Sequence, residues 1–312
     1  MKKIIISMLC IAAVFTVISV TFGLTKQTSD ISYPVVGIIE TVNEDIWRDD
    51  LQIKIKERAE EAGYSVLSVP SKRSQDSQIE ALRSLLIFQV DSIVFSPVIE
   101  TGWDSVLEEA ARVNIPVIAV DKSVQPGTKG LSVHYVGYDY LNIARSMNQY
   151  LQNVLASSDK EIVELCGTFG SYNSREISKG LRGNENKAGY RIYGNYMRSR
   201  GGEIVKGIFR FNENISAIVS YNEAMALGAI DALEDIDMKP GTEVMICLFS
   251  GSKLAKNLVE EGKCNYAMIC DIDQLAQSTI ETVHKLQKHP SSESLTCFVK
   301  YEIITREDFI YA

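Results

Sequence analysis

The chain has 312 residues, 46% of them hydrophobic and 23% charged, a balance that excludes both a disordered chain and a polytopic membrane protein. A formal net charge of −8 argues against a dedicated nucleic-acid binder, which carries a basic footprint. Three histidines, and six cysteines with no CxxC pair, leave little material for a metal centre or a histidine relay, so no metal and no cofactor are expected. At ~150 residues per domain the length suits about two domains, or one large two-lobed unit.

Lys2 and Lys3 precede an uncharged apolar run from Ile4 to Leu24. At a helical rise of ~1.5 Å per residue the run can cross a ~30 Å hydrocarbon layer. It exceeds the ~7–15-residue apolar core of a cleaved signal peptide, and its end, Thr21-Phe22-Gly23-Leu24, has no small-x-small cleavage site. Residues 1–24 therefore read as a signal anchor, with a signal peptide as the alternative. Ser7-Met8-Leu9 lacks the small residue that a lipoprotein cysteine at Cys10 requires. The lysines stay in the cytoplasm, and everything beyond Thr25 is expected to be extracytoplasmic, in the cell envelope, anchored or secreted. Residues 25–32 form a polar linker.

Apolar runs and helical periods then alternate. Strands are expected at Tyr33–Ile39, Tyr64–Val69, Val90–Ser96 and Ile115–Val120, and helices at Ile46–Ala62, Gln75–Phe88 and Trp103–Val113. The pattern continues through strands at Ile162–Leu165, Ile215–Ser220, Glu243–Phe249 and Tyr266–Cys270, each followed by a helical stretch. Continuous apolar strands in βαβα order predict an α/β fold with parallel sheets covered by helices on both faces. Ligands of such sheets bind in the loops beyond the carboxyl ends of the strands. Cys166 and Cys247 fall in buried strands, whereas Cys264, Cys270 and Cys297 leave room for one disulfide.

These loops contain no histidine, and the chain has no GxSxG, HExxH or GxxxxGK[ST]. Gly167-Thr168-Phe169-Gly170-Ser171 reads as a glycine turn rather than a phosphate cradle. Asp271 and Asp273, at a strand end and a helix start, read as capping residues rather than a catalytic pair. No enzymatic activity is expected.

Several segments carry a family resemblance. They are Trp47-Arg48 at the head of the first helix, Ser77-Gln78-Ile79-Glu80-Ala81-Leu82-Arg83-Ser84, and Val90-Asp91-Ser92-Ile93-Val94-Phe95-Ser96-Pro97-Val98. Thr101-Gly102-Trp103-Asp104-Ser105-Val106-Leu107-Glu108-Glu109-Ala110, Ile115-Pro116-Val117 and Val120-Asp121-Lys122-Ser123 continue it, and Tyr221-Asn222-Glu223-Ala224-Met225-Ala226-Leu227-Gly228 matches more loosely. Residues 33–300 thereby resemble the type I periplasmic sugar-binding proteins, the ribose and galactose group of ABC-transporter receptors, and within it the galactofuranose-binding branch. The resemblance implies two doubly wound parallel-sheet lobes joined by a hinge, with the N-terminal apolar helix outside them. The first lobe would be 33–138 plus 273–297 and the second 139–272 plus 298–312. The chain would cross near Gly137–Tyr140, Asp271–Gln274 and Cys297–Lys300.

The resemblance also implies a ligand set. Trp47 offers an apolar face, Arg48 a planar donor and Asp121 an acceptor, while Lys122 stands where an arginine is usual and Asn222 matches an amide ligand. The second lobe departs from the family pattern: Ile177 replaces an arginine, with Arg175 nearby as a substitute. Ser250 replaces an aspartate, and Cys270 a glutamine or glutamate. A changed ligand or weakened sugar binding is expected. Trp103 reads as structural. The implied partners are a small sugar and, at the membrane, an ABC permease or a sensor histidine kinase, with no nucleic acid. A LacI-like effector domain shares the fold, but the apolar segment occupies the place of its helix-turn-helix. An enzyme on the same scaffold is the other alternative.

Overall fold

A computed structural model describes residues 33–42, 46–156, 161–182, 188–291 and 293–310. The apolar run 4–24 and the linker 25–32 lie outside the described residues. Strand β1 (Val35–Thr41) leads to α1 (Ile46–Glu61), β2 (Ser65–Ser71), α2 (Gln75–Ile87), β3 (Ser92–Phe95), α3 (Asp104–Arg112), β4 (Val117–Val120) and β5 (His134–Gly137). A second series follows: α4 (Tyr140–Val154), β6 (Glu161–Cys166), α5 (Tyr172–Leu181), β7 (Ala188–Tyr193), α6 (Arg198–Phe209), β8 (Ile215–Ser220), α7 (Glu223–Glu234), β9 (Met245–Gly251), α8 (Lys253–Glu260) and β10 (Tyr266–Cys270). The chain ends in α9 (Ile272–Lys288), β11 (Thr296–Phe298), β12 (Tyr301–Thr305) and α10 (Glu307–Ile310).

Two sheets organise these elements. Their strand orders are β2-β1-β3-β4-β5-β11 and β7-β6-β8-β9-β10-β12, the same winding used twice. Every pairing is parallel except β10 with β12. The central strands are buried along their whole length, Ser92–Phe95, Val117–Val120 and Ile215–Ser220 among them, which is why they read as unbroken apolar runs. Helix α1 buries one stripe, Trp47, Leu51, Ile55 and Ala59, at four-residue spacing.

The chain passes between the sheets three times. From β5 it enters α4, which packs on α5 of the second lobe, and from β10 it enters α9, which packs on α1, β4 and β5 of the first. The last passage joins β11 to β12. The crossings are tied together: Val299 N donates to Gly137 O at 2.8 Å and the Tyr138 hydroxyl to Asp271 O at 3.3 Å.

Strands β5, β7, β11 and β12 were not expected from sequence. Strand β5 is four residues long with a polar start, β11 and β12 are largely exposed, and β7 reads Ala-Gly-Tyr-Arg-Ile-Tyr, so none presents a continuous apolar run. Among the described residues no disulfide joins the five cysteines, four of which are buried. Asp271 caps α9 by accepting from Gln274 N at 3.0 Å. Among the described residues no helix is long and apolar enough to cross a membrane.

Candidate binding cleft

In each sheet the strand order reverses at the first strand of its series, β1 in one and β6 in the other. Loops leaving such a switch point diverge to opposite faces and open a crevice at the carboxyl ends of the strands. The first turn of α1 and the β6–α5 loop occupy these places, and they face one another.

Asp121, at the end of β4, is fully buried and has φ +63°. That left-handed backbone is rare for a residue with a side chain. It is pinned on both sides: Asp121 N donates to Val136 O at 3.0 Å, and Asp121 O accepts from the Tyr135 hydroxyl at 3.0 Å. The twist aims the carboxylate into the cleft. Oδ2 accepts from Arg48 Nε at 3.1 Å and lies 3.0 Å from Arg48 Nη2. Oδ1 accepts from the Tyr140 hydroxyl at 2.7 Å and from Asn173 Nδ2 at 3.3 Å. Burial raises the Tyr140 hydroxyl well above its ordinary value, which keeps its proton available for this bond.

Arg48 is itself buried, and its guanidinium lies 4.6 Å from the ring centroid of Tyr196 and 5.6 Å from that of Trp47. Lys122 Nζ approaches the Tyr196 ring at 5.1 Å. Two cations therefore engage one aromatic ring, an attraction that strengthens as water is removed. Tyr196 belongs to the second lobe and reaches the cleft through a tight turn after β7, where Asn195 and Tyr196 have φ +56° and +63°. Its ring lies over Gly167, where a Cβ would come within 2.0 Å of it, so this position excludes any side chain. A cavity of about 30 Å³ is lined by first-lobe residues, Thr41, Arg48, Arg73, Ser96 and Lys122 among them, and by Thr168 of the second lobe.

The second-lobe residues take different positions. Arg175 reaches across to Glu100 in a two-pronged pair, Nε to Oε2 at 2.7 Å and Nη2 to Oε1 at 2.5 Å, and also meets Glu176. The Glu100 hydrogen bond raises the Arg175 guanidinium above its ordinary value. Glu100 N also donates to Gly170 O at 2.8 Å, so this residue ties the lobes through both backbone and side chain. Asn222 caps α7, accepting from Met225 N at 3.0 Å, and donates to Tyr196 O at 3.1 Å. It thereby supports the backbone that carries the cleft tyrosine. Ile177 is fully buried in the core, Cys270 ends β10, and Ser250 lies within β9. Trp103 is fully buried against Phe95, with Nε1 donating to Ile99 O at 2.9 Å, a structural role.

Sequence reasoning named Arg48 and Asp121, which the fold joins, but missed Glu100, Asn173 and Tyr196. The only local sign of Tyr196 is the Gly194-Asn195 pair before it, a turn signal at the end of an unrecognised strand. A larger cavity, about 790 Å³, lies at the base of the first lobe, lined by Asp91, Asn114, Pro116, His134 and Gln287, among others. It sits at the amino ends of the strands, away from either switch point.

Three comparisons agree with this geometry. Residues 36–290 match the family model described as a periplasmic binding protein domain. The galactofuranose-binding protein of Escherichia coli is 28% identical over 238 residues, covering 74% of this chain and 75% of that protein. Two solved structures superpose with a TM-score of 0.81, each covering 89% of this chain and 93% of the other. One is the periplasmic binding protein of the arabinose ABC transporter from Shewanella sp. ANA-3, bound to L-arabinofuranose and 25% identical. The other is a Mycobacterium smegmatis protein in complex with β-D-fucofuranose, 27% identical. With its twice-wound lobes, three crossings and facing switch points, this chain belongs to the periplasmic binding protein family.

Proposed function

We propose that the chain is an extracytoplasmic receptor for a small sugar, held between the lobes and delivered to an ABC permease. The observation that carries this reading is the buried Arg48–Asp121 pair facing the Tyr196 ring across the cleft. It supplies an aromatic surface for the apolar face of a sugar and charged groups for its hydroxyls. The relatives' names, which refer to galactofuranose, arabinofuranose and fucofuranose, support a furanose. The proposed ligand set is Trp47, Arg48, Asp121 and Lys122 from the first lobe, with Arg175, Asn222 and Ser250 from the second. The first lobe is residues 33–138 plus 273–297, and the apolar run 4–24 tethers the protein to the membrane.

A second reading keeps the sugar and changes the partner, a membrane sensor such as a histidine kinase. It is favoured by the apolar run without a cleavage site and by Cys10 lacking a lipoprotein context. Thermal melting of the detergent-solubilised full chain against L-arabinose, D-galactose, D-fucose and D-ribose tests the sugar reading. A ligand at 100 times its Kd stabilises by about 2.7 kcal/mol, which raises the melting temperature by several degrees. At least one sugar is expected to do so. An unchanged melting temperature with all four at millimolar concentration contradicts the reading.

A further inference from the structure

The Asp121 carboxylate offers about four acceptor positions. Arg48 Nε donates to Oδ2, with Nη2 3.0 Å from the same oxygen, and Tyr140 and Asn173 donate to Oδ1. The acceptor that the family pattern supplies at this strand end is therefore largely engaged by the protein itself. Asn173 differs from the other two donors in one respect. Arginine and the tyrosine hydroxyl are used here as donors, whereas an amide that donates through Nδ2 still carries an acceptor, Oδ1, on the same carbon. The amide orientation is fixed by chemistry, because only the Nδ2 side can face a carboxylate.

Asn173 is 1% exposed, sits in the first turn of α5, and belongs to the lobe opposite Asp121. Its Oδ1 is buried, and among the described residues no donor meets it. A buried amide oxygen without a donor is costly and needs an explanation. Since Nδ2 already spans the two lobes, Oδ1 shares that interlobe space.

We propose that Asn173 is a specificity-determining ligand contact: Nδ2 holds Asp121 while Oδ1 accepts a hydroxyl hydrogen of the sugar. This rests on the reading of the cleft as a sugar site. The amide adds a second-lobe acceptor beside the largely engaged first-lobe one, on the wall where Ile177 and Ser250 replace the charged residues of the family pattern. The ligand class is thereby narrowed to sugars with a donor hydroxyl directed at the first turn of α5. A carboxylate at 173 could not serve, because it would repel Asp121.

The test is calorimetry of the full chain with whichever of L-arabinose, D-galactose or D-fucose binds most tightly, and with the monodeoxy analogues of that sugar. Wild type, Asn173→Leu and Asn173→Ser are compared, with Arg48→Ala as the control for the site itself. Each variant is first melted without sugar, and Asn173→Ser stands in if the leucine variant does not fold. The expected result is a loss of roughly tenfold in affinity for the parent sugar in both variants. One monodeoxy analogue should show the same loss in wild type and no further loss in the variants. Unchanged affinity in the variants, with Arg48→Ala still abolishing binding, overturns the Asn173 assignment and leaves the sugar site standing. An equal further loss for every deoxy analogue also overturns it, by showing that Asn173 acts on lobe closure and not on one hydroxyl. Absence of binding in wild type removes both readings.

Discussion

At the scale of single residues, the cleft is organised by one carboxylate with an unusual backbone. Asp121 and Arg48 are 0% and 4% exposed, so each is the other's protection against an uncompensated buried charge. Substituting Asp121 by alanine removes the carboxylate that lies 3.0 Å from the buried guanidinium. The expected cost is about 3–5 kcal/mol of stability, read by urea denaturation. Arg48→Met combined with Asp121→Ala should recover much of it, since both members of the buried pair are then gone. A loss below about 1 kcal/mol for the single variant would class the pair with solvent-screened surface ion pairs. Arg48 and Asp121 could be named from sequence because the resemblance supplied their positions at the end of one strand and the head of one helix. Asn173, Glu100 and Tyr196 could not, because each acts on the opposite lobe and its partner is far away in sequence. A helix start reading Ser171-Tyr172-Asn173-Ser174 looks like ordinary capping chemistry until Asp121 appears beside it.

At the scale of elements, the central strands and the long helices were legible because burial on both faces or along one stripe leaves a strong periodic signal. Strands β5, β7, β11 and β12 were not, because their stability comes from pairing with a neighbour rather than from their own composition. Strand β5 shows this: it begins with His134, a polar residue that the fold buries, and is held between β4 and β11. Burial keeps the His134 ring below its ordinary value of 6.5, and Nδ1 accepts from Leu295 N at 3.2 Å, which requires that nitrogen to be unprotonated. The unfolded chain binds this proton more readily than the folded one. Stability from this group is therefore full above about pH 6.5 and is lost as the pH falls from there toward the lower folded value. Urea midpoints measured from about pH 8 to pH 5 should decline in the wild type and decline less in His134→Gln. Parallel curves for the two proteins would show that other groups set the acid limit.

At the scale of the whole molecule, the two lobes repeat one winding, and their switch points face each other across the cleft. The lobes are joined by more than the three crossing segments. Glu100 binds Gly170 and Arg175, Asn173 binds Asp121, and Arg73 donates to Asn195 O. These contacts run between protein groups, and they join Asp121 and Arg175, which the resemblance supplied, to Asn173 and Glu100, which it did not. The expectation of an altered second-lobe wall came from three substitutions, at Ile177, Ser250 and Cys270. Arg175 was named as a nearby substitute, but its pairing with Glu100, and Asn173 beside Asp121, became visible only once the lobes were placed together. The central claim is that a small sugar is held in this cleft by Arg48 and its neighbours. Its most direct test is a crystal structure of the chain with the sugar that most raises the melting temperature. The account predicts a sugar ring within hydrogen-bond distance of Arg48 and in contact with Tyr196. A sugar bound instead in the 790 Å³ groove at the base of the first lobe, beside Asn114 and His134, would contradict it.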